Sequence, residues 1–339
     1  MKKTAFVFTM LLSAVHGYGQ IGGKKVFEFL NLPTNARSAA LGGVVISTTE
    51  NDATMFLANP ALLNDADHNY LSVSHLGFYA DIKYNTFTYS RKIDKLGIMG
   101  FGIQRMSYGE FESYDPSGNS IGKFDAAETA ITISNSHLIG PFSLGVNLKF
   151  VQSSIYTFSA SGLLMDFGGL YRHPEKELSV GLHVKSLGIL LSDYSETSVG
   201  SLPLDVQVGV TFKPEFMPFR FTFTAYNLNR ENTAYFDKNI TDEDDSPGQV
   251  DKIFRHINVG TEVVLSKNFN IRLGYNHLLR KELRLRETSG GAGFNFGFMV
   301  RVNAFELAYT NATYHTNGGR SFITITTNLN RVLKKKIKK

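Results

Sequence analysis

A chain of 339 residues with no cysteine excludes a disulfide framework and a cysteine-linked lipid anchor. Its net charge of +5 falls to +3 once Lys2 and Lys3 leave with a leader, and much of the rest sits in the tail from Lys334 to Lys339, so nucleic acid is not an expected partner. The 31 Gly, 27 Phe and 15 Tyr suit many strands with close backbone contacts and aromatic girdles.

Residues 1–19 read as a signal peptide. Met1-Lys2-Lys3 supplies the positive start, Thr4 to Val15 the apolar stretch, and Gly17 and Gly19 the small residues before a cleavage site. That stretch is shorter than the roughly twenty residues of a spanning helix, and no other such run follows. Residues 20–69 form a second unit. Val26, Phe27, Phe29, Leu30 and Leu32 make an apolar cluster that ends at Pro33, Ala36 to Ala40 predicts a short helix closed by Gly42-Gly43, and Asn51 to Leu63 predicts another, interrupted at Asn59-Pro60. So apolar a segment is expected to fold into a lumen and occlude it as a hatch.

From Tyr70 onward the period is two. Phe142, Leu144, Val146, Leu148 and Phe150 fall on one face against Ser143, Gly145, Asn147 and Lys149, and Phe219, Phe221 and Phe223 do so against Arg220, Thr222 and Thr224. The pattern predicts fourteen strands near 70–79, 82–91, 95–108, 124–136, 141–152, 160–172, 178–187, 203–212, 218–228, 254–265, 268–280, 288–299, 302–311 and 319–329. Short links such as Ile93-Asp94 and Ile139-Gly140 alternate with mostly longer ones such as Gly109 to Lys123, Gly188 to Leu202 and Asn229 to Lys252. Alternating faces also fit a soluble sandwich, but alternating link lengths fit an outer-membrane barrel. The expected fold is all-β: a 14-stranded antiparallel transmembrane β-barrel over 70–329 with an N-terminal hatch in its lumen and a basic periplasmic tail, 330–339. The expected location is the outer membrane of a Gram-negative bacterium, with both termini periplasmic.

By parity Glu128, Lys149, Asp166, Lys185, Glu262, Arg272 and Glu306 face the lumen. Their interleaved signs fit paired charges in a plugged barrel as well as ordinary solvated side chains. In the longest link, Asp242, Glu243, Asp244 and Asp245 could meet a basic partner or a calcium ion, or form a solvated loop tip. No nucleophile elbow, zinc-protease motif or phosphate loop occurs, and the histidines show no ligand spacing. Neither catalysis nor a cofactor or metal is expected. Gly290-Gly291-Ala292-Gly293 reads as room for close packing rather than a dinucleotide loop.

The ordered set Ala36-Arg37-Ser38-Ala39-Ala40-Leu41-Gly42-Gly43, then Asn51-Asp52-Ala53, then Asn59-Pro60-Ala61 resembles the hatch pattern of FadL-like barrels. Within them the chain resembles the PorV/PorQ family of the type IX secretion system, and Gly23 to Pro33 and Gly77 to Tyr84 look like its PorQ branch. The resemblance singles out Arg37, Gly42, Gly43, Asp52, Asn59, Pro60 and Ala61 as the hatch motif. It implies a non-catalytic scaffold in an attachment complex, holding a PorZ-like surface protein on its external loops, with PorU and PorV as further partners and outer-membrane lipid or lipopolysaccharide around it. The alternative is a FadL-like transporter of hydrophobic small molecules. A sealed, charge-paired lumen favours the first, and an apolar pocket beside a kinked strand the second.

Overall fold

The computed structural model describes residues 25–332 apart from 196–199, 231–232, 234–247, 284–289 and 314–318. The expected signal peptide, the acidic residues Asp242 to Asp245 and most of the basic tail lie outside the described residues.

Fourteen antiparallel strands close into one barrel: β1 (Tyr70–Gly77), β2 (Lys83–Ile93), β3 (Gly97–Tyr114), β4 (Ser120–Ile139), β5 (Phe142–Ile155), β6 (Phe158–Arg172), β7 (Leu178–Ser192), β8 (Asp205–Phe212), β9 (Phe219–Ala225), β10 (Ile257–Ser266), β11 (Phe269–Asn276), β12 (Phe294–Val302), β13 (Phe305–Ala312) and β14 (Arg320–Asn328). Each strand pairs with its neighbours in sequence, and the seam is closed by β1 against β14, from Tyr70 opposite Asn328 to Leu76 opposite Phe322. Closure leaves no unpaired edge.

The burial pattern is that of a barrel solvated by lipid. On β5 the apolar Phe142, Leu144, Val146, Leu148 and Phe150 are exposed, whereas Ser143, Asn147 and Lys149 are buried. A water-soluble barrel would reverse this arrangement; an outward apolar band around a polar interior is the membrane arrangement. The chain is therefore a β-barrel of outer-membrane type. Among the described residues no helix is long and apolar enough to cross a membrane.

Links alternate as expected. One mouth carries the short connections, such as 140–141, 267–268 and 303–304, and the other carries 193–204, 226–256 and 277–293. The predicted link from Gly109 to Lys123 is corrected: pairing of β3 with β4 continues past a bulge at Ser107/Glu110 as far as Tyr114 opposite Ser120, leaving a turn of 115–119. Strands β3 to β7 thus stand taller than β8 to β14. Helix α3 (His277–Glu282) replaces the end of the strand predicted at 268–280, whereas α2 (Gln249–Phe254) precedes β10 and takes only Phe254 from the strand predicted at 254–265, and Gly290 to Gly293 precede β12 rather than lying within it.

Residues 25–69 run through the lumen. Lys25 bridges Ser201 in the β7–β8 link, at the mouth with the long links. The short helix α1 (Ala36–Ala40) lies against β11 to β14, and 3₁₀ turns at Met55–Leu57, Pro60–Leu62 and Asp65–Asp67 lead to β1 at the other mouth. The two ends of the described chain, Lys25 and the residues after Asn328, therefore lie at opposite mouths.

Candidate functional site: the filled lumen

The inner segment is irregular, so its backbone polar groups need partners other than a ladder. The wall supplies them. Thr324 Oγ1 accepts from Ala36 N at 2.8 Å and Thr310 Oγ1 donates to Ala36 O at 2.5 Å. Asn258 Nδ2 donates to Leu41 O and Val44 O at 2.9 and 2.8 Å, and Asn276 Nδ2 donates to Gly42 O at 3.1 Å. Deeper, Asn147 Nδ2 reaches Phe56 O at 3.1 Å and Thr211 Oγ1 reaches Ser47 O at 2.8 Å. Polar side chains on the inner face of the wall are thus the complement of a particular backbone path.

Within the segment, Asn35 caps α1 by accepting from Ser38 N at 2.8 Å. The helix stops where Gly43 N returns to Ser38 O at 2.8 Å with Gly42 at φ 96°. Asn59 accepts from Ala61 N at 3.0 Å, placing Pro60 at the start of its turn, and donates to Ile46 O at 2.8 Å.

Inward-facing glycines mark the path. A Cβ built on Gly274 would lie 2.2 Å from Gly42 N, one on Gly145 2.4 Å from Pro60 C, and one on Gly181 2.6 Å from Ile46 O. These are backbone contacts that no rotamer change relieves. At its outer end the segment is held by apolar packing instead: Val26, Phe27, Phe29 and Leu30 join Leu76, Met106, Val151, Leu164 and Phe322 in one buried cluster.

The strongest coupling is electrostatic. Glu262 on β10 accepts from Arg37 of the inner segment at 2.8 Å, from Arg220 on β9 at 3.1 Å and from Arg272 on β11 at 2.9 Å. Arg37 also donates to Asp52 at 2.9 Å, and Arg220 to Glu50 at 2.6 Å. Three guanidiniums thereby face three carboxylates, and the segment contributes one of the former and two of the latter. Buried charges persist only when paired and hydrogen-bonded, so the network ties segment and wall into one unit. A second cluster sits on β5 to β7. Lys149 Nζ lies 2.5 Å from Asp166, Ser186 N donates to Asp166 at 2.9 Å across a bulge in the β6–β7 pairing, and Lys185 donates to Leu30 O at 2.6 Å.

The structure thus brings Arg37 and Asp52 to Glu262 and Arg272, and Lys149 to Asp166. It leaves Glu128 apart, accepting from Tyr108 Oη at 2.5 Å, and Glu306 at the short-turn mouth with Arg301 at 2.6 Å. Parity reading missed Arg220 and His183, whose Nε2 lies 3.7 Å from Asp166, although Arg220 lies between Phe219 and Phe221 and carried the same signal. Glu50 lies in the inner segment, which has no period to read.

Near the short-turn mouth a polar cavity of about 170 Å³ is lined by Arg37, Asp52, Asp67, Tyr70, Arg301 and Glu306 among others. Asp67 lies in the last turn before β1, and its burial pushes its carboxyl up to about 7 against the backbone hydrogen bond from Asn64. Among the described residues no group of His, Asp and Glu is placed to hold a metal ion.

The model of the Uncharacterised protein family UPF0164 matches residues 11–163, and no curated protein sequence matches the chain. Among solved structures the chain is similar to a mutant of the TodX monoaromatic hydrocarbon channel, at 13% identity over 88% of this chain and 98% of that one, with a TM-score of 0.47. It is also similar to a Pseudomonas aeruginosa FadL homologue, at 10% identity over 87% and 98%, with a TM-score of 0.45. The KdgM porin follows at 9% identity over 76% and 98%, with a TM-score of 0.30.

Proposed function

We propose that this chain is a sealed outer-membrane barrel of the PorQ type, a non-catalytic part of the type IX secretion attachment complex that holds a PorZ-like surface protein at its long-link mouth. The observation that carries this reading is the wall-to-segment complementarity: backbone contact at inward glycines, side-chain hydrogen bonds along the segment and a six-charge network spanning it. A gate that opens for solutes would have to break all of these together. The tall side of the barrel supports the docking role, since β3 to β6 raise Phe111, Phe124, Tyr156 and Phe158 at that mouth, with Phe111 stacked on Phe124 at 5.3 Å and Phe124 edge-on to Tyr156 at 5.2 Å. Rigid aromatic groups of this kind anchor protein interfaces.

The test is a gentle-detergent pull-down of the tagged protein from its native outer membrane, with mass spectrometry of both protein and lipid. Recovery of a large surface-exposed protein with sortase-like attachment components is the expected result. A barrel recovered alone with a stoichiometric fatty acid or similar lipid overturns the scaffold reading in favour of transport.

A further inference from the structure

Helix α2 is attached to the outside of the barrel rim, not to its lumen. Asn276 is buried and bonded to Gly42 O inside, so its neighbours Tyr275 and His277 lie on the outer side. From there a line of rings runs outward. Phe294 and Tyr275 have centroids 4.8 Å apart, Tyr275 and His277 6.1 Å, and His277 and Phe254 of α2 5.9 Å. Tyr275 Oη lies 2.9 Å from His277 Nδ1.

The polar side of α2 faces α3. Asp251 accepts from Arg255 Nε at 2.8 Å, lies 2.8 Å from His277 Nε2, and pairs with Lys281 Nζ at 3.1 Å. That leaves Val250, Ile253 and Phe254, which share one stripe at spacing i, i+3, i+4. Their exposure is 66%, 61% and 48%. The helix fixes Asp251 on α3, rests the Phe254 ring on His277, and leaves Val250, Ile253 and the outer part of Phe254 uncovered beside the exposed Lys252; an uncovered apolar stripe of this size needs an apolar neighbour.

We propose that α2 is a membrane foot, its Val250, Ile253 and Phe254 seated in the upper acyl region of the surrounding leaflet at the long-link mouth. Continuity decides the occupant. The aromatic line joins the foot without a break to Phe294, Phe296 and Leu273 on the lipid-facing wall, and an amphipathic helix beside such a belt lies in the interface with its apolar stripe toward the chains. The foot lies on the low side of the barrel, where β8 to β14 are short.

The chain contains no tryptophan, so Ile253→Trp gives a single fluorescent reporter on the stripe. The variant would be reconstituted into phosphatidylcholine bilayers with and without lipid brominated near the top of the acyl chain, with Leu273→Trp as the lipid-facing reference and Ser117→Trp as the aqueous one. The expected result is a blue-shifted emission that is quenched in brominated bilayers to the same extent as the lipid-facing reference. Emission at the aqueous position, quenched by iodide and untouched by brominated lipid, overturns the proposal and leaves the stripe open to water for a macromolecular partner. Should Ile253→Trp fail to fold, Val250→Trp reads the same stripe.

Discussion

Glu262 is the residue on which the inner segment depends most. Replacing it by Gln removes the charge that three buried arginines share, and breaking a buried network by removing one member costs about 3–5 kcal/mol. Glu262→Gln is therefore expected to lower the unfolding free energy of the barrel in bilayers, read from a urea titration, by that amount. Arg37→Met combined with Glu262→Gln should cost less than the sum of the single changes, because the two groups touch. Asp67 carries a separate pH dependence. Its carboxyl titrates near 3.8 when unfolded and about 7 when folded, so its contribution is complete below the unfolded value and is lost as pH rises through the folded one. Hydrogen exchange of residues 61–68, corrected for its intrinsic rate, should reveal more opening at about pH 8 than at about pH 5, and Asp67→Asn should flatten that difference. Glu262 and Arg272 were legible in the sequence because a strand keeps its parity. Asp67 was not, since its burial comes from the packing of an irregular turn.

Strand ends were legible only where parity survived. On β7 Val180 and Leu182 face outward, and so do Leu187, Ile189 and Leu191. The shift from even to odd positions is the bulge at Ser186, whose φ is 59°, and an alternation rule stops there. The bulge near Gly109 hid the upper part of β3 in the same way. At the level of the inner segment, the wall glycines make a sharp prediction. Gly274→Leu places a side chain where Gly42 N now sits, so it should displace α1 while the barrel keeps its heat-modifiable mobility on gels. In planar bilayers the parent protein should be silent and Gly274→Leu should show steady conductance. A parent protein that conducts as well as the variant would remove the sealed lumen from the account.

At the scale of the whole molecule, Lys25 and Asn328 lie at opposite mouths of the barrel, which makes sidedness testable. An epitope placed just before Gly23 should be reached by antibody on intact cells, whereas one after Lys339 should be reached only after permeabilisation. Reversed labelling would mean that the barrel is inserted with its long links inward. The fold class, the strand count and the alternation of links were legible throughout, because lipid and closure impose a period that survives individual substitutions. The route of the inner segment was not, because it depends on which inward positions are Gly and which are Asn or Thr, and such choices have no period.

The contacts of Ala36 impose an order of events on biogenesis. They are to Thr310 on β13 and Thr324 on β14, the last two strands to be synthesised and neighbours of the seam. A cylinder zipped shut before its leading residues were inside would have to admit residues 25–69 through a mouth, past the positions where Arg37 and Glu262 meet. The leading segment is therefore best regarded as a mandrel around which the sheet is wound, and its release from the export machinery is expected to precede the joining of β1 to β14.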